Sequence, residues 1–291
     1  MTKNTKFDNL ICKELKNKTI LITGGAGSIG SVLAKRIINY PIRSLRILDN
    51  NEHALFKLDR DIDNPKLRLL LGNILDKERT EMAASGADIV IHTAAVKNIE
   101  ISEFNPIETI DININGTINL LKTVMKTKPK KFLNISTDKA ANSSTLYGTT
   151  KNVTEKLIGW AGLHLEHTKF ASARFGNVIE TRGNVFEIWR EQAEKNKPLS
   201  ITHPNMKRYF FHVDEAIDFI LNSLLLMKEG EIFIPKMKLF KIKDLANKIS
   251  KKHNIIGLRQ GEKMDEILIS DDEKKRAKEH KKMWALKLYD A

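Results

Sequence analysis

The chain has 291 residues, 41% hydrophobic and 29% charged, enough apolar material for one large domain or for a large domain with a small one. No apolar run approaches the roughly 18–20 residues that span a bilayer, the N-terminal MTKNTKFDNL lacks the apolar stretch of a secretory signal, and the single Cys12 excludes an intramolecular disulfide, so a soluble, cytoplasmic protein without membrane insertion is expected. The net charge of +13 raises the question of nucleic acid, but the lysines are scattered and the densest clusters (Lys126 to Lys131 and Lys274 to Lys282) are short, so the charge reads as a solvated basic surface with no specific nucleic-acid partner.

In chain order, KTILIT (18–23) is an apolar, β-branched run that ends at the glycine cluster GGAGSIG, and SVLAKRIINY then has helical apolar spacing. LRILD (45–49) reads as a strand, 52–61 as a helix, LRLLLG (67–72) as a strand and ADIVIHTAA (87–95) as a strand apolar on both faces. Residues 108–127 read as one long helix, KKFLNIST (130–137) as a strand, 147–162 as a helix and HTKFASARF (167–175) as a strand. This alternation predicts an α/β fold with a Rossmann-like, doubly wound parallel sheet over 1–175. Beyond it the pattern loosens: GNVIETRGNV is loop-like, helices are expected at 184–196 and 213–228, and short strands near 199–202 and 231–234. Residues 176–291 are therefore expected to form a smaller mixed cap that binds substrate, with helix 213–228 packing back on the first part.

In a doubly wound sheet ligands bind beyond the carboxyl ends of the strands, and the motifs of this sequence fall there. Gly24-Gly25-Ala26-Gly27-Ser28-Ile29-Gly30 lies between a predicted strand and a predicted helix, where glycines let the backbone approach a pyrophosphate and the helix start offers free N–H groups. Asp49 follows 19 residues after Gly30, at the end of the second strand; its carboxylate suits an adenosine ribose diol and repels a 2′-phosphate, and Asn50 and Asn51 bring no cation. The reading is NAD(P) as cofactor, with NAD favoured over NADP. Gly24, Gly27, Ser28, Ile29, Gly30, Asp49 and Asn50 are expected to hold it, with Asn73 and Ile74 after the third strand and Ala94, Ala95 and Lys97 after the fourth. Asp76 either meets the adenine or caps the next helix.

Tyr147 and Lys151, at i and i+4, share one face of a predicted helix. A nearby ammonium favours tyrosinate, so the phenol can work as a base near neutral pH, and the lysine can hold the nicotinamide ribose. The preceding strand ends in Ser136-Thr137-Asp138-Lys139-Ala140, a hydroxyl, an acid and an amine in consecutive positions. An adjacent acid and amine can divide protonation of a leaving hydroxyl from removal of a carbon-bound proton. His92 reads as a satisfied or cofactor-lining core histidine, Asn113 as structural support, and Trp160, Trp189 and Trp284 as packing residues. No cluster has metal-ligand spacing, so no metal is expected.

GGAGSIG, IHTAAVKNI, STDKAAN, LYGTTK, ARFGNV, MKRYFFHVDEA and RQGEKMDE occur in that order, and together they resemble the UDP-N-acetylglucosamine 4,6-dehydratases of the extended short-chain dehydrogenase type, over roughly residues 17 to 270. The resemblance implies a cytoplasmic lyase that converts UDP-GlcNAc to a UDP-4-keto-6-deoxy sugar. Tyr147 would take the 4-hydroxyl proton as hydride leaves C4 for NAD(P). Lys139 would remove the C5 proton, Asp138 would protonate the departing C6 hydroxyl, and the hydride would return to C6, with Thr137 bonded near the 4-oxygen. It implies contacts to the sugar nucleotide from Lys97, Asn177, Arg208, Arg259 and Glu262, and a homo-oligomer, dimer or hexamer. The Asp49-Asn50-Asn51-Glu52 run resembles the NAD-preferring capsular branch, whereas Tyr147 resembles the inverting branch, and inversion at C5 is the expectation. Two competing readings stay open: a nucleotide-sugar 4-epimerase or 4-ketoreductase, which needs neither Asp138 nor Lys139, and a non-catalytic NAD(P)-binding protein.

Overall fold

Residues 5–179, 184–259 and 261–289 are described by the computed structural model. Helix α1 (Thr5–Leu15), not anticipated from the sequence, buries Ile11 and Leu15 beneath the first layer of helices. Strand β1 (Thr19–Thr23) is buried along its whole length. It is followed by α2 (Ser28–Ile37), β2 (Ser44–Asp49), α3 (Glu52–Ile62), β3 (Leu67–Leu71), α4 (Lys77–Ala84) and β4 (Ile89–His92). The expected helix over 108–127 is three pieces preceded by a fourth: α5 (Ile99–Phe104), α6 (Pro106–Ile110), a wide π turn (Asp111–Asn115) and α7 (Gly116–Thr127). Next come β5 (Lys131–Thr137), a single 3₁₀ turn (Asp138–Ala140), α8 (Leu146–His164) and β6 (Lys169–Phe175).

The remaining elements are β7 (Asn177–Val178), α9 (Val185–Glu194), β8 (Leu199–Ile201), β9 (Lys207–Phe211), α10 (Val213–Leu226), β10 (Glu231–Pro235), β11 (Lys238–Lys241), α11 (Ile242–Ala246), β12 (His253–Ile255), α12 (Asp271–Arg276), β13 (Ala277–Glu279) and β14 (Met283–Leu286). Of the loop-like GNVIETRGNV, residues 180–183 lie outside the described residues, as does Gln260 of RQGEKMDE.

The main sheet has nine strands in the order β13-β14-β10-β6-β5-β4-β1-β2-β3. From β3 to β10 every neighbouring pair is parallel, and β14 and β13 add an antiparallel edge. This is the doubly wound α/β sheet expected from the alternation, with the change of winding direction between β1 and β4. Helices cover both faces, and the central strands β1 and β4 are buried along their whole length. One apolar layer joins α1, α2, α3 and α10 to the sheet through residues such as Leu33, Leu55 and Ile220. The other joins α4, α7 and α8 through Ala83, Leu121 and Ile158. Burying such a leucine or isoleucine contributes about 1.5–3 kcal/mol, which is why these faces outweigh weak local signals at the helix ends.

The line at residue 175 divides the order of the chain and not the sheet. β10, β13 and β14 come from the later part, yet they extend the main sheet beyond β6, and α10 packs on α2, β5 and β6. The cap proper is a three-stranded sheet, β11-β9-β7, and a two-stranded one, β12-β8, closed over a separate apolar cluster around Trp189, Phe210 and Leu245.

Arg174 stitches these parts together. All of its guanidinium donors are used: it forms a double bond pair to Glu155 of α8 (2.9 and 2.7 Å), a second to Glu273 of α12 (2.9 and 2.7 Å) and a bond to the Leu268 carbonyl (3.1 Å). A planar guanidinium suits two carboxylates at once, and burial of the three charges demands this saturation.

Candidate active site

A cavity of about 840 Å³ opens beyond the carboxyl ends of the parallel strands, between the main sheet and the cap. Its floor is the switch point. Gly24 has φ of +66°, and a Cβ there would lie 2.5 Å from the Ala94 Cα, so only glycine lets the turn after β1 cross the loop after β4 so closely. Gly24, Gly27, Ser28, Ile29 and Gly30 line this end, with Asp49 and Asn50 beyond β2, Asn73 and Ile74 beyond β3, and Ala94, Ala95 and Lys97 beyond β4.

Asp49 does not cap the following helix. Asn51 does so, accepting a bond from the Ala54 amide at 2.9 Å. The Asp49 carboxylate instead accepts from the Ala26 amide in the glycine turn (3.0 Å) and from the Asn51 amide (3.0 Å). Asp76 is the cap of α4, accepting from the Arg79 amide at 3.0 Å. A close turn at a helix start with an acid held beside it fits the adenosine diphosphate part of a dinucleotide.

The loop after β4 is held by the π turn. Asn113 accepts from the Val96 amide (2.8 Å) and donates to the Val96 carbonyl (3.0 Å) and the Thr150 hydroxyl (3.0 Å). The wide turn pushes this side chain out of its helix and into the loop, a recurrent device near sites. His92 is buried between the Thr23 hydroxyl (2.7 Å) and the Thr117 hydroxyl (3.1 Å). Thr117 already donates to the Asn113 carbonyl (2.6 Å), so it accepts from Nε2–H, and Nδ1 accepts from Thr23. Burial, with the nearby Lys151 charge, pushes the imidazole down to about 3, so it stays neutral. Lys97 donates to the Ser28 hydroxyl at 3.3 Å, and burial lowers its pKa.

The opposite wall carries the hydroxyl, acid and amine group. Thr137 ends β5, Asp138 and Lys139 form the 3₁₀ turn, and α8 starts beside them. A Cβ on Gly148 would stand 2.5 Å from the Lys139 carbonyl, so this glycine lets α8 abut the turn. Thr145 caps α8 by accepting from the Gly148 amide (3.1 Å), and Glu103 of α5 accepts from the Leu146 amide (2.7 Å). Tyr147 and Lys151 are thereby fixed on the cavity wall with Thr137 and Lys139.

The Asp138 carboxylate is fully buried and, alone of the expected catalytic set, is not on the cavity wall. Its Oδ1 accepts from the Thr137 hydroxyl (3.0 Å) and from Lys139 Nζ (3.0 Å). Its Oδ2 is buried without a partner and lies 3.2 Å from where a Cβ of Gly176 would be. Burial works to lower the Lys139 pKa, but Asp138 and then Glu266 outweigh it, so the ammonium is held above the usual lysine range. Lys151 is lowered to about 8 by burial, against the pull of Glu155. Burial raises Tyr147, while Lys139 and the Thr137 hydroxyl pull it back down. The cation acting on the phenol is thus Lys139, whereas the sequence spacing points to Lys151, and burial makes the net direction upward.

Asn177, Arg208, Arg259 and Glu262 line the cap side of the same cavity. Asn177 donates to the Tyr209 carbonyl (3.1 Å). Arg208 donates to the carbonyls of Lys207 (2.8 Å), Lys263 (2.8 Å) and Met264 (3.1 Å) and faces Glu262 at 3.7 Å. Arg259 pairs with Glu100 of α5 at 3.2 Å across the cavity mouth. Trp189 is a buried packing residue, whereas Trp160 is 43% exposed, because its turn of α8 faces away from the sheet. Glu266, absent from the expected site, is buried 4.0 Å from Lys139 Nζ. Among the described residues no group of three metal-ligating side chains occurs, and no helix is long and apolar enough to cross a membrane.

A solved structure, Pen from Bacillus thuringiensis, superposes with a TM-score of 0.89 at 32% identity, covering 94% of this chain and 88% of that one. An uncharacterized membrane protein of Methanocaldococcus jannaschii is 39% identical over 89% of this chain and 82% of its own length. A UDP-N-acetylglucosamine 4,6-dehydratase (inverting) of Campylobacter jejuni is 38% identical over 88% of this chain and 78% of its own length. The model of the polysaccharide biosynthesis protein family matches residues 20–288, nearly the whole chain, and this protein belongs to that family.

Proposed function

We propose that this protein is an NAD(P)-dependent nucleotide-sugar 4,6-dehydratase that converts UDP-N-acetylglucosamine to a UDP-4-keto-6-deoxy sugar, with inversion at C5. The observation that carries the reading is Thr137, Lys139 and Tyr147 on one cavity wall beside a dinucleotide-type glycine turn, with Asp138 buried behind Lys139 and bonded to it. The similarity to the Campylobacter enzyme supports it. Residues 1–175 supply the cofactor part and residues 176–291 the substrate part.

Gly24, Gly27, Ser28, Ile29 and Gly30 hold the cofactor pyrophosphate, Asp49 and Asn50 the adenosine ribose, and Asn73, Ile74, Ala94 and Ala95 flank it. Tyr147 and Lys151 lie at its reactive end. NAD is the preferred form, since the Asp49 carboxylate repels a 2′-phosphate. When bound, the nicotinamide supplies a hydride acceptor for C4 and a hydride donor for C6. Tyr147 takes the 4-hydroxyl proton, helped by the Lys139 ammonium and by Thr137, which hydrogen-bonds the 4-oxygen. Lys139, once it has passed its own proton to Asp138, removes the C5 proton made acidic by the new ketone. Asp138 protonates the C6 hydroxyl, which leaves as water; its unpaired Oδ2 beside Gly176 supports this assignment. After hydride returns to C6, C5 takes a solvent-derived proton on the opposite face. Lys97, Asn177, Arg208, Arg259 and Glu262 hold the sugar nucleotide. Positioned acid–base groups of this kind contribute about 10²–10⁴-fold each to rate.

The enzyme works in the cytoplasm as a homo-oligomer. Ile101, Phe104 and Ile107 of α5 and α6, exposed by 54, 85 and 70%, support a second copy of the chain docking there.

The test is incubation with UDP-GlcNAc in deuterated water, with NAD or with NADP, followed by proton NMR. The expected product is a 4-keto-6-deoxy sugar with deuterium at C5 and ring couplings of the inverted epimer, formed faster with NAD. A C4 epimer alone would remove Asp138 and Lys139 from the mechanism. No turnover with either cofactor would move the substrate to another nucleotide sugar.

A further inference from the structure

Lys139 stands between two carboxylates, and only one of them has a role so far. Asp138 is its chain neighbour at 3.0 Å; Glu266, from a distant segment of the chain, stands at 4.0 Å, with 7% of its side chain exposed. No other ion pair of Glu266 occurs among the described residues. The segment that carries it is clamped on both sides. The Lys207 amide donates to the Met264 carbonyl (3.0 Å), Arg208 grips the carbonyls of Lys263 and Met264, and Arg174 holds the Leu268 carbonyl. The groups that face the Lys139 ammonium are therefore Asp138 from its own turn, Glu266 from this clamped segment and Tyr147 from α8.

The elimination makes a demand that the Asp138–Lys139 pair cannot meet alone. To act, Lys139 must be a neutral amine and Asp138 a neutral acid, a state reached from the resting ion pair by moving one proton across their 3.0 Å bond. Lys139 then accepts the C5 proton as the C5–H electrons move into the enolate. Asp138 next gives its proton to the C6 oxygen; the C5–C6 double bond forms, the C6–O bond breaks and water leaves, restoring ammonium and carboxylate. Between the two transfers Lys139 is charged while Asp138 is neutral. Glu266 is then the one protein carboxylate opposite the ammonium.

We propose that Glu266 is a positioning residue that keeps a negative charge beside Lys139 throughout the elimination, so that the lysine can regain its proton before Asp138 gives up its own. This rests on the 4,6-dehydratase reading. It also explains why Arg208 and Arg174 spend donors on the backbone around Glu266.

The test uses the full-length protein loaded with NAD, as wild type, Glu266→Gln and Glu266→Asp. The first readout needs no turnover: competitive acetylation of Lys139 across pH, read by peptide mass. The Gln variant is expected to lower the apparent Lys139 pKa by about 1–3 units, and the Asp variant to restore most of it. The second readout is turnover of UDP-GlcNAc. The Gln variant is expected to lose about tenfold or more in kcat with little change in KM, with the alkaline limb of its pH profile moved to lower pH. An unchanged Lys139 titration in Glu266→Gln overturns the proposal whether or not the wild type turns over. So does a kcat loss that Glu266→Asp fails to rescue and that leaves the pH profile in place. A titration shifted in Glu266→Gln, in a protein whose wild type does not dehydrate UDP-GlcNAc, would fault the substrate assignment and leave the charge beside Lys139 standing.

Discussion

On the β1–β5 side of the cavity most of the expected site residues lie within a few positions of the strand ends that aim them, and Tyr147 and Lys151 follow on the first turns of α8. On the cap side, Arg208 is held by carbonyls more than fifty positions away, and Arg259 by Glu100 across the mouth. On the first wall the side chains are placed mainly by the strand ends and the helix start that carry them, and on the second mainly by long-range contacts. Local geometry survives most substitutions around it, whereas a wall built from distant contacts shifts when any one anchor fails. The proposed chemistry sits on the first wall, and the groups proposed to read the substrate sit largely on the second.

The strongest way to break this contrast is at the turn after β5. Asp138→Asn and Lys139→Met are each expected to lower turnover by about 10²–10⁴-fold while NAD still binds, as read by steady-state kinetics and by titration of the cofactor. A large loss of NAD binding in either variant would mean that this wall is not locally built.

Next in size is the stitch between the two parts. Arg174→Met leaves Glu155 and Glu273 buried without their cation and is expected to destabilise the fold by about 3–5 kcal/mol in urea denaturation. If the two sides unfold separately, the variant will show two transitions; a loss under about 1 kcal/mol would show that Arg174 does not join them.

Acid sharpens the comparison further, since His92 lies only on the first wall. Its folded pKa, about 3, is below the ordinary 6.5, so its neutral form is the one that folding favours. The stabilisation it contributes is full above pH 6.5 and is lost as pH falls from 6.5 toward 3, at a limiting slope of about 1.4 kcal/mol per pH unit. His92→Gln should flatten that part of the stability profile, and an unchanged slope would place the acid sensitivity elsewhere.

The smallest expected effect is at the mouth. Arg259 and Glu100 are both about half exposed, so Glu100→Gln should change stability by less than about 1 kcal/mol. The same substitution frees Arg259, and a lower KM for the sugar nucleotide is the kinetic outcome to look for.

The two walls also differ in how far they can be read from the sequence. The alternation of strands and helices through β6, the glycine turn, Asp49, and the Tyr147–Lys151 spacing are all local signals, and each names its place in the fold. Three features are not local. The π turn at Asp111–Asn115 sits in a run with ordinary helical spacing, and only its bond to Val96 shows why the helix widens there. The burial of Asp138 behind the cavity wall depends on Gly176 and β9, which are far along the chain. Glu266 is an acidic residue in a loose segment, and nothing near it in sequence points to Lys139; a buried acid before the apolar pair Leu268 and Ile269 is the one faint signal. The same holds for β13 and β14, whose place in the main sheet follows from pairing with β10 and not from any motif of their own.

The central claim, that one cavity oxidises C4, eliminates water across C5 and C6, and returns the hydride, is tested most directly with UDP-GlcNAc carrying deuterium at C4. Mass and NMR analysis of the product is expected to show loss of water with the deuterium retained and now in the C6 methyl group. Deuterium lost to solvent, or found still at C4 of an epimerised sugar, would contradict the account.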